Sequence, residues 1–217
     1  MKVLVVQNSP LAPDGAFGAW LRDHGHALEV VRGEALTARQ MQDAGLAVLL
    51  GSAHGVYETA IPWIAAQRGM VAARLAARQP TIGICFGAQM LAVAAGGEVA
   101  RIASGAFHRG WLGIAEASEP ALAGPWPRWH GDTITPPPGA EVLARDAGTV
   151  QAFALPNAIG VQFHPEATPD LLRDWAAQAP PGSFDAAALA ADGERFFAAG
   201  AAARAALFAM LLRRAGA

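Results

Sequence analysis

Through the first hundred residues, short runs rich in β-branched residues and leucine alternate with longer amphipathic stretches, and this limits the chain to a small set of folds. The runs Val3–Gln7, Leu28–Val31, Ala47–Gly51 and Thr81–Ile84 read as strands. Between them Phe17, Trp20, Leu21 and His24 recur at helical spacing, and Met70, Arg74, Leu75 and Arg78 outline a helix with its polar side in water. Strand, crossover helix, strand is the pattern of a parallel sheet. The predicted fold is α/β: a three-layer, open, mostly parallel sheet with helices on both faces, flavodoxin-like. Ligand sites in such sheets lie beyond the carboxyl ends of the strands.

From about Glu98 the pattern shortens, with Trp126–Trp129, Val142–Ala144, Val150–Phe153 and Ile159–Phe163 as further strands. Thr135-Pro-Pro-Pro-Gly139 must turn, because three prolines remove three ladder donors. Thr168-Pro169-Asp170 supplies an N-cap followed by proline at the first helical position, so a helix is predicted from Thr168 to about Gln178. Pro180-Pro181-Gly182 then breaks the chain. Ser183–Arg214 reads as one or two alanine-rich helices with an apolar face at Phe196, Phe197, Leu207, Phe208 and Leu211. A length of 217 residues suits one domain with an appendage. The expected division is a main domain over 1–178 and a helical extension over 179–217 packed on it.

Composition removes several functions. Sixteen basic and eighteen acidic residues give a net charge of -2, so neither nucleic acid nor an anionic membrane surface is an expected partner. The single cysteine, Cys85, rules out an internal disulfide, a cysteine-rich zinc site or an iron–sulfur cluster held by this chain alone. No metal or cofactor is expected. The apolar run Val3–Val6 is too short for a signal-peptide core, and Asp192, Glu194, Arg195 and Arg204 precede the apolar stretch Leu207–Leu212. Neither reads as a membrane span, and a reducing cytoplasm is the expected location.

Chemistry concentrates in Pro80-Thr-Ile-Gly-Ile-Cys85-Phe-Gly-Ala-Gln89, where a buried strand runs directly into a helix with glycines two residues either side of the cysteine. This is the pattern of a nucleophile elbow: the cysteine adopts a tight backbone conformation, and a β-carbon at Gly83 or Gly87 would crowd neighbouring backbone. The thiol then faces a helix N-terminus, whose unpaired N–H groups and dipole favour thiolate. Read alone, such a turn also suits a phosphate-binding loop or a small buried cysteine. The second constellation is Gly160-Val-Gln-Phe-His164-Pro165-Glu166. Proline holds His164 extended, and in an extended segment residues two apart share a side, so imidazole and carboxylate share a face. Such a carboxylate fixes the tautomer and stabilises the imidazolium; a histidine capping the next helix is the other reading. Elbow and His-x-Glu together favour covalent catalysis.

With these residues in view the chain resembles the class I glutamine amidotransferase family, in particular free-standing members similar to the glutaminase domain of GMP synthase. The matching blocks are Gly51-Ser-Ala-His-Gly-Val-Tyr57, Gly83-Ile-Cys-Phe-Gly-Ala-Gln89, Gly96-Gly97, Trp129-His-Gly-Asp132, Gln151-Ala-Phe153 and Gly160-Val-Gln-Phe-His-Pro-Glu166. The resemblance implies Cys85 as nucleophile, His164 as general base and acid, and Glu166 as its orienter. It further implies an oxyanion hole from the backbone N–H groups of Ser52 and Phe86, with Gln89, His130, Gly131 and Asp132 binding the amino-acid end of the substrate. The implied reaction is hydrolysis of glutamine to glutamate and ammonia for a separate ammonia-accepting synthase chain. Gly51-Ser52-Ala53 stands where such sequences read Gly-Gly-Pro, and a serine resists positive φ. That departure keeps open a stand-alone peptidase acting on another γ-glutamyl compound, and a non-catalytic module of the same fold. Among other residues, His24-Gly-His26 is read as a surface loop, His54 and Tyr57 as loop residues near the mouth, and His108-Arg109 as a loop.

Overall fold

The computed structural model describes residues 1–146 and 148–217. In chain order its strands are β1 (Lys2–Gln7), β2 (Ala27–Arg32), β3 (Leu46–Leu49), β4 (Thr81–Ile84), β5 (Glu98–Arg101), β6 (His108–Leu112), β7 (Glu116–Ala117), β8 (Trp126–His130), β9 (Asp132–Thr135), β10 (Glu141–Asp146), β11 (Thr149–Leu155) and β12 (Ala158–Val161). Its α-helices are α1 (Gly15–Asp23), α2 (Ala38–Asp43), α3 (Pro62–Ala76), α4 (Phe86–Ala94), α5 (Pro169–Gln178), α6 (Ala186–Ala199) and α7 (Ala201–Ala215).

An eight-stranded sheet runs β2-β1-β3-β4-β12-β11-β10-β7. The strands β2, β1, β3, β4 and β12 are parallel, and β11, β10 and β7 extend the sheet antiparallel. The predicted mostly parallel α/β sheet is present, with β11, β10 and β7 from the second half of the chain forming its antiparallel wing. Two separate ribbons, β5-β9 and β6-β8, stand apart from it.

Alternation along β1 distributes side chains between two cores. Val3 and Val5 pack with Phe17 and Leu21 of α1 and with Leu207, Phe208 and Leu211 of α7, whereas Leu4 and Val6 pack with Met41 of α2, Ile64 and Val71 of α3 and Met90 of α4. Period-two orientation in the strand thus produces the three layers. Leu207, Phe208, Met210 and Leu211 are each at most 2% exposed, and at about 1.5–3 kcal/mol per buried side chain they hold α7 firmly against the sheet. Arg213 and Arg214 pair with Glu119 at its last turn. The alanine-rich tail is therefore two helices, bent by 73° at Gly200. Among the described residues, no single helix is long and apolar enough to cross a membrane.

One expectation fails on α3. Arg74 does not face water: it is 1% exposed and donates to the carbonyls of Met41, Ala44 and Pro80 and to the Thr81 hydroxyl. Three of these bonds satisfy main-chain carbonyls left over by the connections into β3 and β4, a use that helical periodicity cannot reveal. The helix after Thr168 forms as predicted, with the Thr168 hydroxyl accepting from Leu171 N and proline at its first position.

Candidate active site

The site is assembled where β3, β4 and β12 end. Cys85 sits between β4 and α4 with φ 51° and ψ -108°, a conformation that costs a non-glycine residue about 1–3 kcal/mol. It is locked by Cys85 N donating to Val161 O at 2.8 Å and by Cys85 O accepting from Gln89 N at 3.0 Å. Both flanking glycines are required by close approach. A Cβ at Gly83 would lie 2.5 Å from the Gly87 carbonyl carbon, and one at Gly87 would lie 2.1 Å from Leu49 O on β3. The elbow expected from the sequence is thus present, and backbone contact enforces it.

His164 follows β12 and is held from several sides. Its N–H donates to Pro127 O of β8 at 2.8 Å, its ring meets Trp175 of α5 edge-on at 4.7 Å, and a Cβ at Gly51 would come within 3.2 Å of its Cε1. His164 Nδ1 and Glu166 Oε1 are 2.7 Å apart, both side chains being buried. With Nδ1–H donating to the carboxylate, Nε2 is the nitrogen free to exchange a proton. Burial pulls the imidazole toward the neutral form, but the neighbouring Glu166 carboxylate, with Cys85 adding to it, outweighs it and raises the His164 pKa above the ordinary histidine value. The Glu166 backbone is fixed as well, its carbonyl accepting from Ala16 N at the start of α1 at 2.8 Å.

A cavity of about 350 Å³ opens over these groups. Cys85, His164, Ser52, Phe86, Gln89, His130, Gly131 and Asp132 all line it; of the predicted positions only Glu166 is set back, behind the imidazole. Ser52 is not among the residues with positive φ, so the loop after β3 does not need glycine there, and the strain expected at this position is absent. Its hydroxyl braces the loop, accepting from His54 N at 3.1 Å and donating to Asn8 O at 3.4 Å. Among the described residues neither Ser52 N nor Phe86 N donates to another protein group.

The far side of the cavity is polar. Asp132 accepts from the Tyr57 hydroxyl at 3.3 Å and faces Arg101 Nε at 3.5 Å; burial raises its pKa, and Arg101 opposes that. His130 donates from Nδ1 to Asp132 O at 2.9 Å, and its buried Nε2 has no partner among the described residues. Burial, reinforced by His108, His164 and Arg128, lowers its pKa to about 3, so it is a neutral imidazole.

Some neighbours of the site escaped the sequence reading. Gln162 donates to Cys85 Sγ at 3.5 Å and accepts from Gln89 Nε2 at 3.2 Å, linking the elbow helix to the histidine segment. Its place two residues before His164 in an extended segment, hence on the same side, was the available signal. Trp175, against the imidazole, carried no local signal. Arg109 lies on strand β6, not in a loop, and borders the cavity. His24 caps α1 with Nδ1 on Trp20 O at 2.8 Å and stacks on the Trp20 ring, which accounts for one of the two loop histidines.

A strained thiol, a carboxylate-held imidazole and free backbone donors around one cavity are the equipment of acyl transfer through a covalent intermediate. The architecture is that of solved glutamine amidotransferase structures. One from Methylobacillus flagellatus superposes with a TM-score of 0.86 at 23% identity, covering 98% of this chain and 94% of that one. Another, from Thermotoga maritima, gives 0.84 at 23% identity, covering 99% and 97%. The chain belongs to the class-I glutamine amidotransferase family, whose model matches residues 20–174. Sequence relatives include the glutamine-hydrolysing GMP synthase of Symbiobacterium thermophilum, 39% identical over 97 residues, which are 40% of this chain and 19% of that protein. The corresponding enzyme of Pyrobaculum aerophilum is 34% identical over 140 residues, 61% of this chain and 26% of that protein. The chain thus spans only about a fifth to a quarter of these relatives.

Proposed function

We propose that the protein hydrolyses the side-chain amide of glutamine, or of a γ-glutamyl compound, through a thioester on Cys85. In this reading the Cys85 thiolate attacks the γ-carbonyl carbon and the carbonyl π electrons move to oxygen, where Ser52 N and Phe86 N receive the oxyanion. A donor of this kind is worth about 2.7–4 kcal/mol in the transition state. Collapse expels the amine, which takes its proton from His164. His164 then deprotonates a water that attacks the thioester, releasing glutamate and restoring the thiolate. Glu166 keeps the imidazole aimed and stabilises its charged form. Gln89 has its amide nitrogen committed to Gln162, which leaves its carbonyl oxygen to accept from the substrate ammonium, with His130, Gly131 and Asp132 around the same end.

The observation that carries this reading is the 2.7 Å bond between His164 and Glu166 beside a cysteine held at positive φ in the same cavity. Ammonia from glutamine would pass to a separate synthase chain: the sequence relatives are glutamine-hydrolysing GMP synthases, and the solved structures of similar fold include a GMP synthase component from Thermoplasma acidophilum and PurLQS from Thermotoga maritima. A thiol nucleophile stays competent in a reducing compartment, which suits the cytoplasm. Incubation with a glutamine-analogue diazoketone, followed by peptide mass spectrometry, is expected to place one adduct on Cys85 and to abolish release of ammonia or amine. An unmodified Cys85, under conditions that inactivate a known glutaminase, would overturn the reading.

A further inference from the structure

Arg109 is a cation without a carboxylate. It borders the cavity that holds Cys85 and His164, yet among the described residues it makes no ion pair and its guanidinium no hydrogen bond; its buried Nε has no partner. The other arginine lining the cavity, Arg101, faces Asp132 at 3.5 Å. Three aromatic rings fix Arg109 instead: its Cζ lies 4.2 Å from the Phe107 ring centroid and 5.3 Å from those of Trp129 and Phe184. Stacking occupies the faces of a guanidinium and leaves its in-plane N–H groups to find acceptors. A desolvated donor with no acceptor is costly, and a carboxylate that meets such a fork in bidentate fashion removes that cost.

The position of Arg109 indicates which carboxylate. This step rests on the hydrolytic reading above, in which His164 protonates the departing nitrogen, so the leaving group lies on the imidazole side of the scissile carbon. From His164 the aromatic contacts run to Trp175 at 4.7 Å and from Trp175 to Trp129 at 5.9 Å, and Trp129 is the residue that Arg109 pairs with across β6 and β8. Through Trp129 and Trp175 the arginine is thus linked to the imidazole that serves the leaving group. Ammonia, the leaving group of glutamine, has nothing to offer it. An amino acid released from a γ-glutamyl linkage has a carboxylate. We propose that Arg109 is the anchor of a leaving-group subsite that binds the carboxylate of a γ-glutamyl amino acid or peptide, making such compounds substrates of this site.

The test uses the full chain with Cys85→Ala, so that binding is read without turnover. γ-Glutamylalanine and γ-glutamyl ethylamide differ only by the leaving-group carboxylate. Calorimetric titration is expected to show the dipeptide binding at least tenfold tighter, with the difference abolished by adding Arg109→Met, or Arg109→Gln if the methionine variant does not fold. Equal affinity for the two ligands overturns the proposal, as does equal weakening of both by the Arg109 substitution, which would assign the arginine to the glutamyl end. Turnover by the unsubstituted protein is a separate measurement. A carboxylate-dependent binding difference without release of alanine or ammonia would sink the hydrolytic reading and leave the subsite standing.

Discussion

The two walls of the cavity are built by different means. On the wall formed by β3, β4 and β12, main-chain contacts set the geometry: Gly87 lies against Leu49 O, Cys85 N bonds Val161 O, and Gly51 abuts the His164 ring. A second wall, from β6, β8, the end of α5 and the segment before α6, is made by side chains stacked on one another: Arg109 on Phe107, Trp129 and Phe184, and Trp129 on Trp175. A backbone-determined wall tolerates almost no substitution, which suits atoms that must react. A stacked wall exchanges one ring or charge for another at modest cost, which suits choosing what may enter. Within one pocket, chemistry and selection are separated by the kind of force that positions them.

The largest effect should fall on the first wall without changing its shape. Glu166→Gln preserves volume but removes the charge that most strongly raises the His164 pKa. The expected loss in kcat is about 10⁴-fold, by analogy with loss of the third member of a triad. The alkaline limb of the pH–rate profile should also move toward acid, because imidazolium gives up its proton at a lower pH once Glu166 no longer stabilises it. A pH–rate series on the two proteins checks both; an unchanged alkaline limb would mean that Glu166 does not act through His164.

Next in size is a paired stability measurement that sets one wall against the other. At Gly87 an added Cβ meets backbone, Leu49 O at 2.1 Å, while at Gly131 it meets the side chain of half-exposed Phe107 at 3.0 Å. Backbone cannot step aside, whereas an exposed ring can. Gly87→Ala should therefore destabilise by at least about 3 kcal/mol, lowering Tm by about 6 °C or more, and Gly131→Ala by less than about 1 kcal/mol. Similar losses at both positions, in thermal unfolding, would erase the distinction between the walls.

The same division explains what could be read from the sequence. The elbow, the shared face of His164 and Glu166, the bounds of β4 and the Thr168 cap were all legible, because each follows from residues within a few positions of one another. The stacked wall was not. Arg109 reads as a loop residue because Gly110, at φ 100°, interrupts the strand pattern, and β6 is a strand only through its pairing with β8. Phe184, Trp175 and Trp129 come together from positions far apart in the chain. Arg74 likewise has helical spacing on its own segment, while the carbonyls that bury it come from Met41 and Ala44. Ser52 shows the converse: a side-chain argument expected strain, and the backbone adopts an ordinary φ.

The smallest predicted effect separates the walls by pH. His164 has a raised pKa, so its contribution to stability is complete below the ordinary value of 6.5 and is lost as pH rises through its higher folded-state value. His130, on the other wall, has the opposite sign. Its folded-state pKa is lowered from 6.5 to about 3, chiefly by burial, so its contribution is complete above 6.5 and is lost as pH falls toward 3. At about 1.4 kcal/mol per pKa unit the His130 contribution is on the order of a few kcal/mol. His130→Asn keeps an amide donor for Asp132 O and removes the titration. Urea unfolding between pH 7 and pH 4 should give a shallower acid decline in this variant, whatever the stability at pH 7. Hydrogen exchange at pH 4 should show β6 and β8 losing protection before β4 and β12, since the wall that depends on a neutral buried imidazole opens first. Simultaneous loss in both pairs would show that acid acts on the sheet as a whole, and that the two walls, though built differently, unfold as one unit.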